Sequence, residues 1–263
     1  MELKLPQGYK AFSDDARYQI LKLNSEGFDV ASPREIMEMV VKYGKDFSNV
    51  KNKKFSSSYG TAFNSKGDVK IIKNCPEILE LNFNSKAYSR NGLELSDEKF
   101  DSFNGKNILY LSKNKIKKLE EDSPFNLTPK LILDNEVWNF IAEDNSVLKG
   151  YIDFVFRGVK KEWDRDYAMG ISLDSNTNGF YDCSNNILPL SFNGLGVGAN
   201  ISISLTYGIK FLGIKKDGEK INDLEKIAFF DKFHKSMKKG EPFLYNENIF
   251  IPTYLDKISL QNN

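Results

Sequence analysis

The run Asp174-Ser175-Asn176-Thr177-Asn178-Gly179, followed by Asp182 and Asn185, places oxygen-bearing side chains at most of the ligand positions of an EF-hand calcium loop. Position twelve, however, is Asn185 rather than a bidentate glutamate, only two carboxylates are present, and no helix is predicted on either flank. The run therefore reads as an asparagine-glycine turn whose side chains meet ligand or solvent. Paired carboxylates at Asp164 and Asp166, or at Glu120 and Glu121, are the residue types of a general acid and base, although such neighbours are more often solvated charges. Asp164, Asp166, Asp174 and Asp182 together define an alternative reading, a hydrolase or metal-dependent enzyme of unknown substrate. Cys75 and Cys183 have no base nearby in sequence and a separation that matches no zinc or redox motif; paired, they would make one staple. His234, the one histidine, sits in the basic stretch Lys232-Phe233-His234-Lys235 and reads as a surface residue. Gly194-Leu195-Gly196-Val197-Gly198 lacks the lysine and following helix of a phosphate-cradling loop and reads as a bend between strands. No cofactor and no metal are expected from these patterns.

What is missing is more informative. From Gly170 to Ile209 there is no Lys, Glu, Gln, Met or Trp, although these five types make up roughly a fifth of the chain. Under that composition a gap of about forty residues arises on the order of a few times in a thousand, so chance is a poor explanation. A buried, glycine-rich β region would exclude long charged side chains. That accounts for the apolar half of the segment but not for Asp174 to Asn186, a polar stretch in which lysine is ordinarily welcome. What remains there is short polar and aromatic side chains, a mixture that recognition surfaces favour: tyrosine offers area at low entropic cost, and Ser, Gly and Asn offer adaptable hydrogen bonds. The candidate ligand-binding residues are Ser172, Asp174, Asn176, Asn178, Phe180, Tyr181, Asp182, Cys183, Asn185, Asn186, Asn193, Asn200 and Tyr207.

These residues need elements to hold them. Ser13, with Asp14 and Asp15 in the first turn and Gly27 as terminator, predicts a helix carrying Ile20, Leu21 and Leu23. Ser32-Pro33-Arg34-Glu35 combines an N-cap, a proline at the first helical position and a capping-box glutamate ahead of Ile36, Met39, Val40 and Tyr43. Ser58 to Asn64, a Ser65-Lys66-Gly67 turn and Val69 to Lys73 predict a hairpin. Short helices are predicted at Ser96 to Phe103, after Thr128-Pro129 and over Asp134 to Ala142, and a strand at Ile108 to Leu111. Asn114 to Glu121 reads as a charged connection and Val147 to Val159 as extended. Strands are predicted at Met169 to Leu173, Ile187 to Phe192, Ile201 to Leu205 and Gly208 to Ile214. A C-terminal helix is expected at Leu224 to Met237 and an extended piece at Phe250 to Ile258. Helices early and short strands late indicate an α+β fold.

The run Asp14-Asp15-Ala16-Arg17-Tyr18 through Gly27-Phe28-Asp29-Val30, continued by Ser32-Pro33-Arg34-Glu35-Ile36-Met37-Glu38, resembles the opening of C-type-lectin folds of the formylglycine-generating-enzyme type. There a first helix and a short strand precede a Pro-Thr-x-x-Glu helix. Tyr207-Gly208-Ile209-Lys210-Phe211 is similar to the terminal Gly-Phe-Arg strand of those proteins. Within that fold, the variable proteins of diversity-generating retroelements, including those of nanoarchaeal type, are diversified by adenine-directed mutagenesis of asparagine codons. The products include Asn, Asp, Ser, Tyr, Gly, Thr, Ile, Phe, Cys and Val, but never Lys, Glu, Gln, Met or Trp. The resemblance implies N-terminal helices packed on short antiparallel sheets, a variable ligand-binding region at 170–209 and no enzymatic activity, since the cysteines or clustered histidines of the catalytic relatives are missing. It also implies one C-type-lectin-like domain over 1–263. The usual variable region ends its chain, whereas residues continue to 263 here, so 217–263 reads as a C-terminal extension.

The 263 residues, 40% of them apolar, suffice for one generous core. Lys plus Arg (37) nearly balances Asp plus Glu (36), which gives no reason to expect specific nucleic-acid binding. The start lacks the apolar core of a secretory signal and no run approaches a membrane span, so display at a cell surface would rely on a partner. The partner expected is a macromolecular or small ligand of unknown identity, bound by the variable surface.

Overall fold

The computed structural model describes residues 5–12, 16–44, 54–80, 92–122, 126–166, 168–173, 185–193, 200–203, 210–215, 243–245 and 248–250. The chain divides into two compact units, Met1–Gly218 and Glu219–Asn263. In the first, β1 (Tyr9–Ala11) leads into α1 (Ala16–Ser25), β2 (Phe28–Val30) and α2 (Pro33–Tyr43). Gly27 ends α1 with φ at +77°, a conformation that glycine adopts without a Cβ clash. Ser13 to Asp15, the expected cap of α1, lie outside the described residues. The cap of α2 is a full capping box: Ser32 Oγ accepts from Glu35 N at 3.2 Å, and the Glu35 carboxylate accepts from Ser32 N at 2.7 Å. Ile36, Met37, Met39 and Val40 form its buried face.

The expected hairpin is β3 (Phe55–Phe63) and β4 (Val69–Ile72). Its turn is fastened by Asn64, whose Oδ1 accepts from Lys66 N at 3.0 Å and from Asp68 N at 2.8 Å. Then come α3 (Pro76–Leu79), β5 (Leu93–Glu94), α4 (Asp97–Ser102), β6 (Ile108–Leu111), α5 (Lys113–Asp122), β7 (Asn126–Leu127), α6 (Pro129–Leu133), α7 (Glu136–Ala142) and α8 (Asn145–Trp163). Ser96, Thr128, Asn135 and Asp144 cap α4, α6, α7 and α8 through side-chain oxygens. The unit closes with β8 (Ala168–Met169), β9 (Ile171–Ser172), β10 (Asn186–Asn193), β11 (Asn200–Ile203) and β12 (Leu212–Lys215).

Two expectations are corrected. Val147 to Val159 is helical, as part of α8: Leu148, Tyr151, Ile152, Val155 and Val159 are buried at helical spacing behind the Asp144 cap, and this tertiary face overrides the β-prone composition. Asn114 to Glu121 belongs to helix α5 instead of a connection, with Ile116 buried on its one apolar stripe.

A seven-stranded sheet runs β6-β4-β3-β10-β11-β9, with β5 added against the start of β10; a three-stranded sheet runs β1-β12-β2. A parallel bridge between Ser56 and Phe211 joins the two. Helices α2, α7 and α8 bury one core with β3 and β10. In the second unit, β13 (Phe243–Tyr245) and β14 (Asn248–Phe250) form an antiparallel hairpin. The helix expected at Leu224 to Met237 and the residues after Phe250 lie outside the described residues.

Candidate ligand-binding surface

Strand β10 is the spine of the candidate segment. Ile187, Leu188, Leu190 and Phe192 are buried, with Ser191 fully enclosed among them. Phe192 meets Trp138 of α7 edge-on at 6.3 Å between ring centroids and Tyr151 of α8 at 6.4 Å. The Trp138 indole donates to the carbonyl of Met169 at 3.0 Å, so the same tryptophan holds the residue just before the segment begins. Met169 itself has φ at +62°, an uncommon conformation for this side chain, and the indole hydrogen bond helps to hold it. Pro189 has no N–H to give to a ladder, and the register between β10 and β3 shifts just there, between Pro189 and Ser191. Across that irregularity Ser57 Oγ donates to the carbonyl of Leu190 at 2.9 Å, and the hydroxyls of Ser56 and Ser191 are 2.8 Å apart.

Burial therefore accounts for the absence of long charged side chains in part of the segment: Gly170, Ile171, Leu173 and Ile187 to Phe192 face the interior. It does not account for Asn185, which is exposed and holds φ at +60°, a conformation asparagine tolerates better than most residues.

The predicted site residues fall into groups. Asn185 and half-buried Asn186 sit where the chain enters β10. Asn193 and Asn200 are cross-strand partners at the other end of that strand, and Ser172 pairs with Ser202 along the parallel β9–β11 edge. Asn186 and Asn193 are the two ends of an eight-residue strand, about 23 Å apart, so these two do not share one contact point. Strand directions do gather other ends of the segment. β9 and β11 run parallel to each other and antiparallel to β10, so the chain leaves β9 after Leu173 and β11 after Ile203 heading toward the end where Asn185 and Asn186 lie. Asp174, Asn176, Asn178, Phe180, Tyr181, Asp182, Cys183 and Tyr207 lie outside the described residues.

The rival chemistries can be placed too. The stretch that resembles a calcium loop connects strand β9 to strand β10, whereas an EF-hand connects two helices. Among the described residues no three of His, Cys, Asp and Glu cluster as a metal site. Cys75 is a free, buried thiol, and burial pushes its pKa upward, the reverse of what a nucleophile needs. Asp164 and Asp166 both pair with Lys160, at 2.9 and 3.3 Å, on side chains more than 80% exposed. Lys160 holds the Asp164 carboxyl below its ordinary value, whereas a general acid needs the opposite shift. Asp166 lines an open cleft of about 530 Å³ with Pro129, Asp153, Phe156, Arg157, Lys160 and Arg165. Cations outnumber acids among its described lining residues, and Asp174 and Asp182 of the alternative reading lie outside the described residues.

One further residue of the region escaped the sequence reading. Lys54 stands one residue before β3, half-buried, next to the end of the ladder that pairs Phe55 with Phe192. The available signal was a lysine abutting an apolar strand at the end of the run Lys51-Asn52-Lys53-Lys54.

No family model matches the chain, and no curated protein matches it. Among solved structures, a chain from Nanoarchaeota, described as accommodating massive sequence variation by the C-type lectin fold, aligns with a TM-score of 0.52 at 12% identity, over 80% of this chain and 100% of that one. The fold is that of a C-type lectin. Helices α1 and α2, opening the chain, and the short strands grouped around β10 are this chain's version of the C-type lectin fold.

Proposed function

We propose that the chain is a non-enzymatic ligand-binding protein, a variable protein of a diversity-generating retroelement of nanoarchaeal type. In this reading 170–209 is the variable region and 217–263 is a C-terminal extension of a C-type-lectin-like domain. The observation that carries it is the run from Gly170 to Ile209 without Lys, Glu, Gln, Met or Trp, which reaches beyond the buried strand into exposed positions such as Asn185. Burial of β10 is a sufficient reason for the gap only over Ile187 to Phe192. The structural neighbour supports the reading through its fold and through the sequence variation for which that protein is described. The internal architecture supports it as well: Trp138 and Tyr151 pin Met169 and Phe192, so an exposed side chain between those anchors, such as Asn185, can change while the buried ones keep the core packed.

The ligand is a macromolecule or small molecule met by the polar and aromatic residues of the segment, and no cofactor takes part. Among the described residues no helix is long and apolar enough to cross a membrane.

A displayed library tests this. Asp174, Asn176, Asn178, Tyr181, Asn185, Asn193, Asn200 and Tyr207 would be varied together among the products of asparagine-codon mutagenesis and selected against an unrelated soluble protein. The reading predicts that most members melt cooperatively near the parent and that specific binders emerge. Widespread unfolding, or a folded library without binders, would contradict it.

A further inference from the structure

Between the pairs Pro189–Gly60 and Ser191–Ser56, one residue of β10, Leu190, faces three of β3: Ser57, Ser58 and Tyr59. Strand β3 therefore carries two residues more than β10 matches, a bulge in a strand that is buried along its whole length. The backbone of the bulge is bonded elsewhere. Ser58 N donates to the carbonyl of Ala31 at 2.9 Å, and the Ser58 carbonyl accepts from Cys75 N at 2.9 Å. Ser57 closes the gap that this leaves in the ladder. Its fully buried hydroxyl donates to the carbonyl of Leu190 at 2.9 Å and accepts from Tyr59 N at 3.3 Å, a side chain standing in for missing backbone bonds.

A surplus of two residues carries a particular hazard. Sliding a strand by one residue turns its apolar face outward, so burial alone forbids that error. Sliding by two keeps every side chain on its own face. If the pairing of Ile187 to Pro189 simply ran on, Ser191 would stand opposite Ser58 and Phe192 opposite Ser57. That half of β10 would then be displaced by about 7 Å along β3. The candidate surface would move with it, because β11 is paired to Leu190–Asn193 and β9 is paired to β11, and these pairings place Asn193, Asn200 and Ser172.

Packing of Phe192 on Trp138 and Tyr151 opposes the slide, but it needs an aromatic ring at 192, inside the segment 170–209. The hydroxyl pair Ser56–Ser191 likewise needs a particular side chain from the segment. Ser57 lies outside the segment and holds a main-chain carbonyl, which is present whichever residue occupies position 190.

We propose that Ser57 is a positioning residue for the candidate surface: it fixes the register of β10 through the Leu190 carbonyl, so that the surface keeps one place on the scaffold while side chains in the segment change. The inference rests on reading 170–209 as the binding segment. It makes register a property of β3 rather than of the segment.

The test uses the full chain, deuterated and isotope-labelled, with cross-strand amide contacts read by NMR. Wild type should show Ser191 against Ser56 and Ile187 against Ala62. Ser57→Ala should add a second set of signals for Leu190 to Asn193, with Ser191 against Ser58, while the Ile187–Ala62 contact persists. The ratio of native to slid register should fall about tenfold or more, since two buried groups lose their partner. Ser57→Thr, which keeps the hydroxyl, should restore the single set. If Ser57→Ala does not fold, Ser57→Cys, close in shape and a weaker donor, takes its place. A chain that is merely less stable, with Ser191 against Ser56 alone, overturns the proposal. Binders from the displayed library separate this inference from the reading beneath it. Several unrelated binders should lose affinity together in Ser57→Ala, in proportion to the fraction of chains left in the native register. Unchanged affinity with unchanged contacts removes the role of Ser57 and leaves the binding surface standing. A library without binders removes the surface, and the NMR contacts still decide the register.

Discussion

Tyr151 and Lys54 show how single polar groups are handled in this core. The Tyr151 ring packs against Trp138 and Phe192, its buried hydroxyl finds no partner among the described residues, and burial raises its pKa. Removing an unsatisfied hydroxyl relieves its desolvation, so Tyr151→Phe should raise stability by about 1 kcal/mol in urea unfolding; a loss of that size would mean the hydroxyl has a partner. Lys54 gives a pH dependence. Its ammonium titrates at about 8 in the folded protein, against about 10.4 in an unfolded chain. The unfolded chain therefore binds more protons between those values, and stability rises with pH through that window. Urea midpoints on either side of pH 8 should show wild type gaining on Lys54→Met as pH increases; parallel curves would contradict the assignment. Ser32 and Glu35 were legible in the sequence because a cap is a local contact between residues three apart. Lys54 was not, because the strand that covers its neighbour Phe55, β10, is far away along the chain and reaches it only through the sheet.

At the level of elements, helix α2 carries much of the frame that holds β3 and β10, packing against α7 and α8. Ser32→Ala removes one side of the capping box and should cost about 1 kcal/mol, whereas Ser32→Asp should keep most of the stability. Gly44 ends α2 in an ordinary right-handed conformation, and its value lies in space: a Cβ there would come within 2.4 Å of Phe154 Cζ on α8. Gly44→Ala should cost about 1–3 kcal/mol in thermal or urea unfolding, and no change would mean that α8 shifts freely. The early helices and the β3–β4 hairpin could be read from caps and turn residues, which act locally. α8 could not, since Val147, Ile152, Val155 and Val159 are β-prone types and the helix is selected by packing on α2 and α7. Strand β10 was visible as an apolar run, but its place between β3 and β11 was not. Pairing order is set by contacts distant in sequence.

In the molecule as a whole, a C-type lectin fold carries a segment whose composition, in the proposed reading, records how it was made as well as how it folds. The buried strand, the aromatic brace from α7 and α8 and the register of β10 with β11 are fixed features. Positions such as Asn185, Asn193 and Asn200 are, in this account, one draw from a repertoire. The most direct test is to sequence the gene and its surroundings from many cells of one population. The account predicts a near-copy of the stretch encoding 170–209, differing from it only where the copy carries adenines, a reverse transcriptase gene nearby, and variation between cells concentrated on asparagine codons. A single invariant copy with no reverse transcriptase nearby, or variation spread evenly over the gene, would contradict it.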